Sequence, residues 1–139
     1  MIWEAMLMAK RILMSQRAMQ RGRQLGYLMA RAEQWVNIPG HPAVGVRRDL
    51  FGWMDVIAIT GESSPHVIGI QACTMGDRAS HLKKMAGGDV AEAIARWLAA
   101  GCRAELWAFA KHKVKRGGVA VKWECVATNL ADSTIVTAP

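Results

Sequence analysis

Two apolar segments, residues 53–59 and 67–73, are the clearest feature of the hydrophobic pattern. Between them, residues 60–66 are polar, small or turn-forming. Short apolar runs that are bounded by turn residues are typical of β-strands covered on both faces of a sheet. The pattern therefore predicts a β-hairpin at the centre of the chain.

Upstream of the hairpin, residues 1–33 are predicted to be helical for most of their length, because apolar residues recur along one side of a helix. Gly22 and Gly26 are expected to end this helix. A first strand is predicted over 27–36, and a loop over 37–42, where proline and glycine are frequent. One helix and one strand therefore precede the hairpin.

Downstream, a basic helix is predicted over 76–86, and Gly87-Gly88 breaks it. The next helix is expected to begin at Asp89, because Asp89 and Glu92 have the spacing of a capping box. Gly101 is a natural C-terminal stop for this helix. Two strands are then predicted, over 103–110 and 119–127, and a basic connection over 111–118 joins them. A loose tail over 128–139 follows.

This order predicts one α/β domain, with a mixed central β-sheet flanked by helices. A chain of 139 residues fits a single domain. It would consist of an N-terminal basic helix over 1–26, a core over 27–127 and the tail over 128–139. The segment between Cys73 and Arg103 is long enough for a helical crossover that joins parallel strands.

The charge composition indicates which class of partner the chain could bind. Lysine and arginine exceed aspartate and glutamate, and the net charge of +7 favours an anionic partner, nucleic acid before a membrane surface. The same charge could serve solubility alone. No run of 18 apolar residues is present, so no transmembrane helix is expected.

The cysteines favour a reducing cytoplasm. They are odd in number and widely spaced, without a CxxC pair, which argues against a disulfide scaffold. A zinc site built from them and the four histidines would lack the usual close ligand pairs. The Arg-rich first segment could also be a transit peptide or a membrane-surface helix, although its few serines favour an ordinary helix.

Asp55 lies inside the first apolar segment, where a buried carboxylate is costly unless it is paired or binds a metal. Pairing the hairpin symmetrically about Ser63 brings Asp55 opposite Gln71, with Cys73 on the same face. A purely structural interpretation is that Asp55 caps a strand or pairs with Arg47 or Arg48, and that Gln71 is a satisfied buried amide.

The segments Asp55-Val-Ile-Ala and Ile-Gly-Ile-Gln71-Ala-Cys73, with helices before and after, resemble the core of the PD-(D/E)xK nucleases. The chain is most similar to the Holliday-junction-resolvase-like and restriction-endonuclease-like members of phages and bacteria. The resemblance implies a restriction-endonuclease-like core and a homodimer. It also implies a cytoplasmic location in a bacterium or a phage-infected host cell.

The resemblance also implies the site residues. Asp55 takes the place of the motif aspartate, Gln71 that of the glutamate and Cys73 that of the lysine. Mg²⁺, or Mn²⁺, would be held by Asp55 and Gln71, and the extra acid would come from Asp49, which is nearest in sequence, or from Glu4 or Glu33. These ligands would support the hydrolysis of DNA phosphodiester bonds.

The motif is degenerate, because Gln71 carries no charge and Cys73 offers no fixed positive charge. Lys83 or Lys84 on the following helix is the expected substitute for the motif lysine. Basic residues expected to contact nucleic acid form three groups: Arg47 and Arg48; Arg78, Lys83 and Lys84; and Lys111, Lys113, Lys115 and Arg116. Most tryptophans are expected in the core, with Trp35 and Trp53 as candidates for base stacking.

Three functions therefore remain open from the sequence. The first is a Mg²⁺-dependent endonuclease that acts on branched or otherwise structured DNA. The second is a nucleic-acid-binding module of the same fold without catalysis. The third is a structural or assembly protein that uses its Met-rich N-terminal helix to bind a partner.

Overall fold

The computed structural model describes residues 14–136, so the predictions made for residues 1–13 lie outside the described part. Helix α1 occupies residues 14–24. It ends as predicted near Gly26, which has a φ of 83° and allows the chain to reverse into the first strand. Met14 and Ala18 on one side of α1 are buried against the main sheet.

Eight strands and two further helices follow. The strands are β1 Leu28–Arg31, β2 Gln34–Ile38, β3 His41–Arg48, β4 Val56–Ile59, β5 Val67–Thr74, β6 Arg103–Lys113, β7 Val121–Asn129 and β8 Ile135–Val136. The helices are α2 Arg78–Met85, which follows a 3₁₀ turn over Met75–Asp77, and α3 Gly88–Ala99.

The main sheet has six strands in the order β1-β4-β5-β6-β7-β8. Strands β5 and β6 are parallel, and α2 and α3 form the crossover between them. The other neighbouring strands of this sheet are antiparallel. The predicted mixed α/β class and the helical crossover are therefore confirmed.

The central hairpin has the predicted register. Ile59 pairs with Val67, and Ile57 pairs with Gly69. Both faces of these strands are covered, as their continuous apolar character predicts. On one face Ile68 and Ile70 pack below α1, and on the other Cys73 belongs to a cluster with residues of α2 and α3.

The predicted strand over 27–36 is wrong as a single element. It divides at Ala32 and Glu33 into β1, which joins the main sheet, and β2, which pairs with β3. The predicted loop over 37–42 is only the turn between β2 and β3, centred on Gly40 with a φ of 81°. We call residues 34–48 the ribbon; its two strands pair with each other outside the main sheet.

The ends of other elements also differ from the prediction. Helix α3 begins one residue before the predicted start at Asp89, and its N-cap is Gly87, which has no side chain to cap the helix. Arg96 Nη2 donates to Glu92 Oε1 at 3.0 Å. Strand β6 continues to Lys113 because β7 pairs with it as far as Val121. Strand β8 of the predicted tail pairs with β7. Among the described residues, no helix is long and apolar enough to cross a membrane.

Candidate metal centre

Asp55 lies just before β4 and is buried. Its backbone N–H donates to the carbonyl of Ile70, the residue that pairs with Val56, at 2.8 Å. Its Oδ2 accepts hydrogen bonds from Gln71 Nε2 at 2.8 Å and from the backbone N–H of Ala72 at 2.9 Å. The predicted juxtaposition of Asp55 and Gln71 is therefore confirmed.

The second carboxyl oxygen of Asp55 has a different environment. Oδ1 is buried, and no N–H or hydroxyl of the described residues donates to it. Burial, a hydrogen bond with Asp49 and the charges of Asp49 and Glu33 raise the pKa of Asp55 to about 9, and the Ala72 N–H opposes this shift. Asp55 therefore holds a proton at neutral pH unless a cation stabilises the ionised form.

A tight turn places Asp49 beside Asp55. Leu50 and Met54 form an isolated antiparallel bridge, so the residues that flank it, Asp49 and Asp55, lie next to each other. Phe51 and Gly52 both adopt left-handed conformations, with φ of 56° and 79°. Two consecutive residues with positive φ are typical of a type I′ turn, and here three residues separate Leu50 from Met54.

Backbone hydrogen bonds hold Glu33 at the same place. The N–H groups of Ala32 and Glu33 both donate to the carbonyl of Asp55, at 2.8 and 3.2 Å. The Glu33 side chain is only 5% exposed, and its Oε1 accepts from Arg47 Nη1 at 3.0 Å. This ion pair crosses the base of the ribbon. The sequence alone does not predict it, because the contact depends on the pairing of β2 with β3.

Three carboxyl groups consequently converge. Glu33, Asp49 and Asp55 each offer one oxygen atom, and these atoms lie within 4.8 Å of one another. We call these residues the acid cluster. Oxygen atoms at this spacing suit a hard divalent cation such as Mg²⁺. Asp49 and Glu33 were both expected as sources of an extra acid; Glu4, the third, lies outside the described residues.

Gln71 lies beside Asp55 and contacts it through its amide nitrogen. Its amide Nε2 donates to Asp55, so Gln71 holds one oxygen of that carboxyl group and leaves the other without a donor. This amide is hydrogen-bonded, as the structural interpretation expected, but Arg47 pairs with Glu33 rather than with Asp55. Ion pairing with Arg47 therefore does not explain the burial of Asp55.

Basic side chains line a cleft beside the acid cluster. The cleft has a volume of about 490 Å³ and is lined by Arg47, Arg48, Asp49, Gly52 and Lys84. Lys84 comes from the last turn of α2. Lys83 and Lys84, the two lysines expected to replace the motif lysine, are both exposed, but only Lys84 belongs to the described lining of this cleft.

Cys73 supplies no charge at the position of the motif lysine. It is buried beside the core residues of α2 and β6. Burial, and then the neighbouring acids Asp77 and Asp55, raise the pKa of its thiol to about 12, against the opposing charge of Arg78. The thiol is therefore neutral at physiological pH.

The other predicted nucleic-acid contacts are dispersed. Arg78 donates to Thr128 Oγ1 through Nε and Nη2, at 3.3 and 2.9 Å, and does not line the cleft. Lys111 and Lys113 continue the two-residue spacing of Trp107 and Phe109 along β6, so they are on the face of the sheet that α1 covers. The acid cluster borders the opposite face. Lys115 and Arg116 are exposed in the connection that follows β6.

The two tryptophans proposed for base stacking differ. Trp53 is 1% exposed and packs edge-on against Trp97 with ring centroids 6.3 Å apart, so stacking on a base is excluded for it. Trp35 is 50% exposed on the ribbon and remains a candidate. The expectation that tryptophans mostly serve the core is met by Trp107, which is also buried.

The comparisons with known proteins give no further identification. No protein-family model, no curated protein and no solved structure matches this chain. The residues of the acid cluster and its cleft are therefore the basis for a functional proposal.

Proposed function

We propose that this chain is a Mg²⁺-dependent nuclease that hydrolyses DNA phosphodiester bonds, with branched or otherwise structured DNA as its substrate. One observation carries the proposal. Three acids from separate segments, Glu33, Asp49 and Asp55, bring oxygen atoms within 4.8 Å of one another beside a cleft lined by arginine and lysine. Acids for a metal next to cations for a phosphate are what metal-assisted phosphodiester hydrolysis needs.

The donor set fits the proposed metal. All three groups are carboxyl oxygens, and Asp55 Oδ1 is buried without an N–H or hydroxyl donor among the described residues. A bound cation would stabilise the ionised form of Asp55, whose pKa of about 9 otherwise favours the protonated form. When bound, Mg²⁺ supplies Lewis-acid polarisation of the phosphate and of a water molecule.

The residues of the chain divide the remaining tasks. Gln71 and Ala72 fix the orientation of the Asp55 carboxyl group through Oδ2. Lys84 and Arg48, which line the cleft, attract the phosphate and stabilise the charge that develops on its oxygens. Arg47 balances the charge of Glu33. Lys84 thus takes the part that Cys73 is unable to fill.

The order of elements also supports the proposal. Helix α1 is followed along the chain by β1 and then by the β4–β5 hairpin of the main sheet. A helical crossover then leads to the parallel strand β6. Asp55 precedes β4, and Gln71 lies in β5. This is the arrangement that the resemblance to the PD-(D/E)xK nucleases implies.

A second candidate is a nucleic-acid-binding module that lacks catalysis. It is favoured by the uncharged groups at two positions of the motif, the amide of Gln71 and the neutral thiol of Cys73. The cleft with Arg48 and Lys84 would then bind phosphate groups without cutting the strand.

Cleavage of labelled four-way junctions and linear duplexes in Mg²⁺ or Mn²⁺ separates these candidates. We expect the wild-type protein to cut, and Asp55→Asn to lose activity by about 10²-fold or more, as when a group that stabilises the transition state is removed. Asp89→Asn, which changes an exposed acid on α3, serves as the matched control.

Each outcome decides between the candidates. Full activity of Asp55→Asn would refute the assignment of the acid cluster. If the wild-type protein binds these DNAs but cuts none of them with either metal, the binding module is the correct function. Isothermal titration of Mg²⁺ into the wild-type protein and into Asp55→Asn tests metal binding independently of turnover.

A further inference from the structure

A second cleft lies on the side of the main sheet that α1 covers. Its volume is about 400 Å³. Four polar side chains of α1 line one wall, at spacings that place them on one side of the helix. Residues of β6 and β7 form the floor. The lining residues are Arg17, Gln20, Arg21 and Gln24 from α1, and Phe109, Trp123 and Cys125 from the strands.

Two guanidinium groups in this region are held against aromatic rings. Arg17 Cζ lies 3.5 Å from the centre of the Trp123 ring, and Arg21 Cζ lies 4.4 Å from that of Trp107. Lys111 Nζ is 6.0 Å from the Trp123 ring, on the same face. A stacked planar guanidinium group is preorganised, and its N–H edges stay available for an anion such as phosphate.

Acids lie near one of these cations, because Arg21 also lines a neighbouring cleft together with Glu62 and Glu105. Within the described residues, neither Arg17 nor Arg21 forms an ion pair, and the buried Nε–H of Arg17 donates to no acceptor. No acid belongs to the described lining of the cleft. The nearest buried acid on this face, Glu105, accepts a hydrogen bond from Trp107 Nε1 at 2.9 Å.

We propose that this cleft is a second nucleic-acid site, which binds the sugar-phosphate backbone of a single strand. Arg17, Arg21 and Lys111 would contact the phosphates, and the amides of Gln20 and Gln24 would form hydrogen bonds along the strand. The site faces away from the acid cluster across the sheet. A strand bound here is therefore a different segment of nucleic acid from the one at the acid cluster.

The proposal does not depend on nuclease activity, so its test is made with EDTA present. The affinity of a labelled single-stranded oligothymidine is measured by fluorescence anisotropy for the wild type and for Arg17→Gln/Arg21→Gln. Arg23→Gln is the matched control, because Arg23 is exposed on α1 and does not line the cleft. Circular dichroism verifies that each variant folds.

We expect the double variant to bind about 10-fold or more weakly, with a salt dependence reduced by about one to two units of slope, and Arg23→Gln to bind like the wild type. Equal losses in the double variant and in Arg23→Gln would overturn the site, as would unchanged binding. If the double variant does not fold, Lys111→Gln and Arg17→Lys/Arg21→Lys decide in the same way, because each is expected to weaken binding.

Competition identifies the source of the phosphate. Inorganic phosphate and thymidine monophosphate are added at the same phosphate concentration as an unlabelled oligothymidine. The proposal expects the oligonucleotide to displace the labelled strand at much lower concentration. Equal displacement by the small phosphates would overturn the assignment to a strand and indicate a site for a small phosphate compound.

Discussion

At the scale of single residues, Asp55 has two carboxyl oxygens with different surroundings. Oδ2 accepts two hydrogen bonds from β5, whereas no N–H group of the described residues donates to buried Oδ1. Asp49 and Glu33 add negative charge at close range. The arrangement stabilises either a proton on Asp55 or a cation in the acid cluster, and these two ligands should compete.

This competition predicts a pH dependence of stability. The folded pKa of Asp55, about 9, lies above the value of about 3.9 expected in the unfolded chain. The folded protein therefore binds more protons, and its free energy of unfolding falls as the pH rises through this interval. Each unit of difference in pKa corresponds to about 1.4 kcal/mol.

Asp55→Asn should remove this loss, because asparagine does not ionise. Urea unfolding in metal-free buffer at several pH values measures the effect: the variant should gain stability relative to the wild type as the pH increases. Asp132→Asn is the control, since hydrogen bonds from Thr134 lower the pKa of Asp132 and give the opposite sign. Parallel stability curves for wild type and Asp55→Asn would contradict the raised pKa.

The sequence contained part of this site. The pairing of Asp55 with Gln71 follows from the two apolar strands and the turn between them, because the register of a hairpin fixes which residues are opposite. The position of Glu33 does not follow, because it depends on backbone hydrogen bonds from Ala32 and Glu33 to the Asp55 carbonyl. No side-chain pattern encodes that contact.

At the scale of elements, the ribbon is the feature that the sequence pattern predicts least well. The prolines and glycine near its turn are typical of a loop, so the pattern hides the two strands. The break between β1 and β2 falls at Ala32 and Glu33, where no glycine or proline indicates it. The sequence predicts the β4–β5 hairpin and helix α2 more closely, because turn residues bound a continuous apolar pattern in the first and a helical pattern in the second.

Position 45 of the ribbon is a glycine that lies against the ring of Trp35. A Cβ atom there would overlap the indole ring of Trp35, which lies across the backbone of β3. Because Trp35 is half exposed, Gly45→Ala should displace the ring rather than unfold the domain. We expect faster hydrogen exchange over residues 34–48, and a change of less than about 1 kcal/mol in the free energy of unfolding.

Gly76→Ala is the matched control for this prediction, because the added methyl group meets no neighbour within 4 Å. It should leave hydrogen exchange in the ribbon unchanged. Unaltered exchange in Gly45→Ala would show that the contact between Trp35 and β3 does not hold the ribbon together.

At the scale of the whole molecule, the sheet separates two polar regions. The acid cluster borders one face, and the cleft of Arg17 and Arg21 lies on the other, beneath α1. The side-chain alternation of β6 keeps them apart, with Leu106 and Ala108 toward one face and Trp107 toward the other. The sequence predicted this two-faced sheet but not which basic residues each face receives.

This separation predicts independent energetics. Residues that share no contacts have additive effects on free energy. Arg17→Gln/Arg21→Gln should therefore leave the Mg²⁺ affinity unchanged, and Asp55→Asn should leave the affinity for oligothymidine in EDTA unchanged. Isothermal titration and fluorescence anisotropy on both variants and on their combination measure this. A coupling above about 0.5 kcal/mol would show that the two regions communicate through the sheet.

The pairing of β1 with β4 has a consequence for the folding route. These strands are neighbours in the sheet although the ribbon separates them in sequence. A local hairpin forms within about 1–10 μs, and its closure shortens the effective loop that the pairing of β1 with β4 must close. Early ribbon formation would therefore lower the entropic barrier to this long-range pairing, and the acids at the two ends of the ribbon would meet before the crossover helices dock.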